Sequence, residues 1–382
     1  MDERELLMIP GPTNVDPAVL RSLSQPTLSH VSGSFASILK ETVSHLATIF
    51  KSKGLILPLA GSGTLGAEIA LANIIEPADR VLAISGGFFG DRLADTATTL
   101  GAKVDRVDAA WGSVPKLPEV EAKMSEGNYK ALLVVHVDTS TGAANPIKQL
   151  GALAKARNAL FVVDTVCSMA GMNVEVDGWG IDACFTGSQK ALAVPPGITI
   201  VSFSAKAEAA REQRKTPIGT YYGDLKRWKP IFQDPTAYFA THPVNMIYAL
   251  HESCSRILKE GLDARFARHT KIASAFRAGM RAIGLKLLCE DADASNTLTV
   301  TRYPDNVNDA EFRKAMAEVY GVTTAGGLGP LKGKAFRVGH MGNVNRNDIL
   351  ATIAAIEGSL THQGYTFQAG AGIAAANHIL SA

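Results

Sequence analysis

Through the first two hundred residues, short apolar runs alternate with stretches in which apolar positions recur every three or four residues. The runs at 55–60, 81–84, 131–137, 159–163 and 198–203 are nearly continuous in Val, Ile, Leu, Phe and Ala, the pattern of strands covered on both faces. Residues 103–107 alternate apolar with charged, as a half-exposed strand does. Between them, Ile38, Leu39, Val43, Leu46, Ile49 and Phe50 fall at helical spacing, and residues 67–73, 118–124 and 146–157 read as further helices. His45 lies beside the first of these stripes and reads as a structural helix residue. Strand and helix in alternation predict a mostly parallel sheet wrapped by helices, an α/β fold.

The texture changes after residue 203. Residues 216–238, rich in aromatics, glycine and proline, read as a long irregular connection, either functional or part of an interface. Helices are expected at 244–259, 262–283, 309–319 and 346–360, strands at 297–301 and 335–338, and an alanine-rich terminal helix near 369–376. This divides the chain into an N-terminal segment with a large domain, 1–259, and a small C-terminal α/β domain, 260–382.

The full chain of 382 residues exceeds one typical core, which agrees with that division. With 46% hydrophobic and 19% charged residues, it has enough apolar surface to fold and too little charge for a disordered polymer. The net charge of +2, with no basic block beyond the KRWK run at 226–229, gives no reason to expect nucleic acid. Cys167, Cys184, Cys254 and Cys289 lack metal-ligand spacing, so no metal is expected, and Cys184 reads as buried filler. No run approaches the ~20 apolar residues of a membrane span, and the N-terminus lacks a signal segment, so a cytoplasmic protein is expected.

Candidate chemistry collects where strands end. The run TGSQK at 186–190 follows an apolar stretch and precedes Pro195, Pro196 and Gly197, which prevent a helix behind it. Lys190 is thus either a solvated loop lysine or a fixed amine able to lose its proton and attack a carbonyl. The turn GSGTLG at 61–66 opens a helix, where free N–H groups and the hydroxyls of Ser62 and Thr64 suit an anion. It also satisfies GxGxxG, but a dinucleotide site wants an acid after the second strand, and Ser85, Gly86 and Gly87 stand there instead. A phosphate monoester fits better. Of Phe88 and Phe89, one suits the core and the other could lie flat on a ring. The DTSTG cluster at 138–142 either caps the next element or faces the same edge. Asp164, ending a buried run, must be paired: either it caps the turn after it or it meets a cationic ring nitrogen.

A phosphate turn, an aromatic, a hydroxyl cluster, a strand-end acid and a constrained lysine together describe a pyridoxal 5′-phosphate site. Through nearly its whole length the chain resembles class V aminotransferases of fold type I, in the alanine–glyoxylate and serine–pyruvate branch. The most specific match is GSQKA at 187–191 with Pro195, Pro196 and Gly197, followed by VDTV at 163–166. The resemblance makes Lys190 the Schiff-base residue and general base, and Asp164 the partner of the pyridine nitrogen. It assigns Ser62, Gly63, Thr64 and Gln189 to the phosphate, Phe89 to ring stacking, Thr139 to the ring hydroxyl and Arg337 to the substrate carboxylate. Arg346 competes for the last role but precedes a helix and reads as solvated. Tyr238 and Thr241 resemble residues that reach the phosphate from a neighbouring subunit, implying a homodimer with shared sites. Family members often carry tryptophan at the position of Phe89 and histidine at that of Thr64.

The implied reaction moves an amino group between alanine or serine and glyoxylate or pyruvate. Four rivals remain, the weakest a non-catalytic binding protein, which leaves both Asp164 and Lys190 unexplained. A pyridoxamine–pyruvate transaminase resembles the same branch and would bind no phosphate. A nicotinamide-dependent dehydrogenase rests on the glycine pattern alone. A cysteine desulfurase wants a reactive C-terminal cysteine, whereas Cys289 borders an acidic run that raises its pKa.

Overall fold

A computed structural model describes residues 5–381. A short strand, β1 (Leu6–Leu7), leads to helices α1 (Pro17–Leu23) and α2 (Gly33–Phe50). Strands and helices then alternate: β2 (Leu55–Gly61), α3 (Gly63–Ile74), β3 (Arg80–Ser85), α4 (Phe88–Thr99), β4 (Lys103–Asp108), α5 (Leu117–Ser125), β5 (Ala131–Val135), α6 (Ile147–Ala156) and β6 (Leu160–Asp164). Two more strands, β7 (Ala183–Gly187) and β8 (Gly197–Phe203), complete the sheet.

The seven strands lie in the order β2-β8-β7-β6-β5-β3-β4. Only β8 runs against its neighbours; the other pairings are parallel. Successive residues point to opposite faces, and both faces are covered. Leu82, Ile84, Leu132, Val134, Phe161 and Val163 enter one core, while Val81, Ala83, Leu133, Val135, Leu160 and Val162 enter the other. That two-sided burial is why these strands read as continuous apolar runs. The chain passes from β3 outward to β4 and returns past β3 to β5, so a crevice opens beyond the carboxyl ends of β3 and β5. β2 and β3 sit far apart in the sheet, so the glycine turn after β2 is not part of the adjacent-strand unit a dinucleotide site requires.

Helices α7 (Ala205–Glu212), α8 (Leu225–Gln233), α9 (Val244–Glu260) and α10 (Leu262–Ala282) follow. The C-terminal part contains β9 (Leu298–Arg302), α11 (Asp309–Glu318), β10 (Val322–Thr323), β11 (Ala325–Gly326), β12 (Ala335–Gly339), α12 (Arg346–His362) and α13 (Ala371–Ser381). Here β11, β12 and β9 form an antiparallel sheet, and Phe276, Phe312, Phe336 and Ile353 fill a third core. β1 pairs in parallel with β10, and Met8 joins that third core, so the chain's beginning is fastened to its C-terminal part. No helix among the described residues is long and apolar enough to cross a membrane.

Several elements differ from the expectations, the unexpected helices α1 and α7 among them, and three of the differences are informative. The helix after the glycine turn begins at Gly63, four residues before the predicted stretch, which makes Ser62 its N-cap. α4 was not expected; its N-cap, Gly87, supplies no side-chain cap, and the cap comes from elsewhere in the chain. α8 lies inside the stretch read as irregular, capped by Asp224 and buried through Leu225, Trp228 and Ile231 despite Pro230 in its last turn. It accounts for the KRWK run, since Trp228 is buried while Lys226 and Lys229 pair with Glu212 and Glu208.

Candidate active site

The loop after β7 holds Lys190 by its backbone. Ser188 donates its N–H to Ile198 O at 2.9 Å and its Oγ to Pro195 O at 2.7 Å. Thr13 then covers two carbonyls, its N–H donating to Gln189 O at 3.1 Å and its Oγ1 to Lys190 O at 2.9 Å. The next carbonyl, Ala191 O, accepts from Arg265 Nη2 at 2.6 Å, and Leu192 O accepts from Ser253 Oγ. Four consecutive carbonyls thus have donors, and the lysine is fixed rather than solvated. Its Nζ donates to the carbonyl of Pro10, and Gly11 passes so close that a Cβ there would stand 2.5 Å from Lys190 Cδ. With φ at +101°, Gly11 occupies a conformation that favours glycine in any case. Burial lowers the lysine pKa, with Arg337 and Arg92 adding to the effect.

Lys190 faces a cavity of about 180 Å³ at the crevice beyond β3 and β5. Ser62, Gly63 and Thr64 form one wall where α3 begins, and Gln189 borders it. Ser62 accepts no side-chain capping bond, so the first turn of α3 presents N–H groups without intrahelical partners. Gln189 Oε1 is buried and has no hydrogen-bond partner among the described residues. Helix mouth, hydroxyls and amide are what a phosphate monoester takes up.

Asp164, which also lines the cavity, ends β6 and is 7% exposed. Its Oδ1 accepts from Val166 N at 2.8 Å, so the capping bond considered from the sequence does form. No bond engages Oδ2 among the described residues. Burial pushes this carboxyl up to about 7, while the Val166 N–H, Arg92 and Lys190 pull it down. A buried carboxyl with one free oxygen suits a cationic ring nitrogen, and the cavity therefore fits pyridoxal phosphate at both ends.

Phe89 lines the cavity from the first turn of α4, and Thr139 from the loop after β5. The loop also supplies the missing helix cap. Asp138 Oδ2 accepts from Phe89 N at 2.9 Å and Gly90 N at 3.0 Å, Oδ1 accepts from Ser140 N and Oγ, and Ser140 Oγ accepts from Phe88 N at 3.0 Å. A Cβ on Gly87 would stand 2.7 Å from the Asp138 carboxyl carbon, so a glycine is needed where the two segments meet. Phe88 meets Phe89 edge to face and stays 42% exposed, leaving Phe89 as the ring that faces the cavity.

Eight predicted residues, from Ser62 to Lys190, thus share one cavity. Arg337 stands at its margin on β12. It donates Nε to Gly326 O at 2.8 Å and Nη1 to Thr139 O at 3.1 Å, which leaves Nη2 without a bond among the described residues. Arg346 is exposed and bonds Asn377 and Ser381 on α13. Tyr238 and Thr241 do not line the cavity; both are exposed, Tyr238 against His30. Cys167 does line it, but burial raises its thiol to about 11, and Cys289 is raised to about 12, so neither is an activated nucleophile. Arg92, Thr13 and Arg265 are site residues the sequence reading missed; Asp138 stood in the DTSTG cluster, expected to cap the element after it, and caps the earlier helix α4 instead. Of the missed residues only Arg92, one helical turn from Phe89, carries a local signal.

Comparison with known proteins agrees with this geometry. Residues 11–329 match the family model described as aminotransferase class V. An uncharacterized aminotransferase of Methanocaldococcus jannaschii is 38% identical over 95% of this chain and 94% of its own, and alanine–glyoxylate aminotransferase 1 of Saccharomyces cerevisiae is 35% identical over 88% and 92%. The crystal structure of ureidoglycine–glyoxylate aminotransferase from Bacillus subtilis superimposes with a TM-score of 0.95 at 32% identity, covering 100% of this chain and 99% of that one. Pyridoxamine–pyruvate aminotransferase from Mesorhizobium loti gives 0.94 at 29% identity, covering 99% and 97%. The constrained lysine, the strand-end acid and the helix mouth stand in the frame these proteins share, and the chain belongs to the class V aminotransferases, transaminases of fold type I.

Proposed function

We propose that this transaminase uses pyridoxal 5′-phosphate to move an amino group between a small amino acid, alanine or serine, and a small 2-oxo acid, glyoxylate or pyruvate. The observation that carries the reading is the pairing, in one cavity, of a buried Lys190 whose pKa burial lowers with an Asp164 whose carboxyl is pushed up to about 7. When bound, the cofactor supplies an aldehyde for the amino group and a ring that accepts electrons. Ser62, Gly63, Thr64 and Gln189 hold its phosphate, Phe89 stacks on its ring, and Thr139 meets the ring hydroxyl. Asp164 keeps the proton on the ring nitrogen. The ε-amine of Lys190 anchors the aldehyde carbon between turnovers. When free, that amine would hold or move the proton of the substrate α-carbon. Arg337 has two nitrogens committed to carbonyls, so its remaining Nη2 is aimed by the protein before the substrate carboxylate arrives.

The exposure of Tyr238 and Thr241 on the single chain supports their reaching the phosphate of a second copy in a homodimer. Four free, buried cysteines suit a reducing, cytoplasmic setting. Lys190→Ala tests the reading: visible cofactor absorbance and turnover are both expected to vanish, and retained turnover refutes it. A panel of amino donors against glyoxylate and pyruvate identifies the substrates. The likeness to pyridoxamine–pyruvate aminotransferase keeps one alternative, in which free pyridoxamine is a substrate. Cofactor that survives dialysis argues against it.

A further inference from the structure

A phosphate at the mouth of α3 meets only uncharged groups in the site as assigned so far: the hydroxyls of Ser62 and Thr64, those of Tyr238 and Thr241 from a second copy, an amide and backbone N–H groups. A cation added to that helix mouth would hold the dianion more tightly, because charge-assisted contacts are stronger than neutral ones. Besides Lys190, whose amine is committed to the aldehyde, one cationic side chain lines the cavity: Arg92.

Arg92 lies on the α3 side of the cavity, and its charge is felt at Asp164 and Lys190 as well. It also lines an adjoining groove of about 340 Å³ with Leu65, Glu68 and Ile69 from the first turns of α3, so it stands between the cofactor cavity and that helix. Its guanidinium carbon lies 4.5 Å from the centroid of the Phe89 ring, which holds the planar head against the aromatic one turn away. No hydrogen bond or ion pair engages the guanidinium among the described residues. Glu68 and Asp95, the two carboxylates of the groove, make none with it either. Other arginines that border buried groups here, such as Arg211, Arg265 and Arg313, have carboxylate partners.

We infer that Arg92 is a phosphate-binding residue, supplying the positive charge that pairs with the cofactor's phosphate while its planar face backs the stacking ring. The inference rests on the reading that the cofactor is phosphorylated. The test titrates pyridoxal phosphate and unphosphorylated pyridoxal into cofactor-free wild type, Arg92→Gln and Arg92→Lys, following visible absorbance. A charge-assisted contact predicts that Arg92→Gln weakens pyridoxal phosphate roughly 10- to 100-fold and pyridoxal by less than about twofold, with Arg92→Lys in between. Pyridoxal binding shows in the same sample that the variant is folded around its lysine. Equal weakening of both ligands, or of neither, overturns the role of Arg92. Wild type that binds pyridoxal and pyridoxal phosphate alike instead overturns the phosphorylated-cofactor reading.

Discussion

Asp164 shows how a single residue stores energy for binding. Its carboxyl is pushed up to about 7 from 3.8, chiefly by burial, so the folded chain without cofactor keeps a proton that the unfolded chain releases. Below about pH 4 both states are protonated and the group is neutral to stability; between pH 4 and 7 stability falls as pH rises; above 7 the whole cost is present. At 1.36 kcal/mol per pH unit that cost is at most about 4 kcal/mol. Asp164→Asn keeps an oxygen for the Val166 N–H and removes the ionisation. Cofactor-free Asp164→Asn should therefore melt higher than wild type at about pH 8 and close to it at about pH 4.5. The same variant should bind the cofactor more weakly at both, since the ring nitrogen loses its anion. Calorimetry of the two apo proteins at the two pH values checks the first point, and an unchanged difference between them refutes it.

At the scale of the element, α4 places Phe89 and Arg92, and its start is built by a loop some fifty residues away. Both Asp138 oxygens act as acceptors, one for two N–H groups of α4 and one for Ser140. An asparagine can serve only one side, because its amide nitrogen would face donors on the other. Asp138→Asn and Asp138→Ala should each destabilise the fold, the alanine by about 2 kcal/mol or more, and both should loosen cofactor binding through Phe89. Urea denaturation read beside a cofactor titration checks this; full affinity in Asp138→Ala excludes the positioning role. The same distance explains what the sequence hid. Gly87, Gly90 and three threonines make residues 88–99 an unpromising helix, and its cap is invisible locally. α8 was hidden by Pro230, although Leu225, Trp228 and Ile231 already fell at helical spacing. By contrast β5 and β6 were plain, because strands covered on both faces carry an unbroken apolar run. Lys190 and Asp164 were legible because each sits where a buried run stops. Arg265 was not, since its role comes from tertiary position alone, and the one-turn spacing of Arg92 from Phe89 lay on a helix the pattern hid.

For the molecule as a whole, the open question is whether one chain makes a complete site. Tyr238 is 68% exposed and Thr241 is exposed as well, and neither touches the cavity of its own chain. In a two-fold dimer the same patch meets itself, so each subunit would give these side chains to its partner's site and receive the partner's in return. Mixed dimers separate this arrangement from a merely structural one. A Lys190→Ala subunit paired with a Tyr238→Ala subunit has one site lacking both groups and one lacking neither. If the sites are shared, mixing the two inactive variants through partial unfolding and reassociation restores about a quarter of wild-type activity, since half the dimers are mixed and each has one intact site. If Tyr238 serves its own chain, every site in the mixture lacks one of the two groups, and mixing restores nothing.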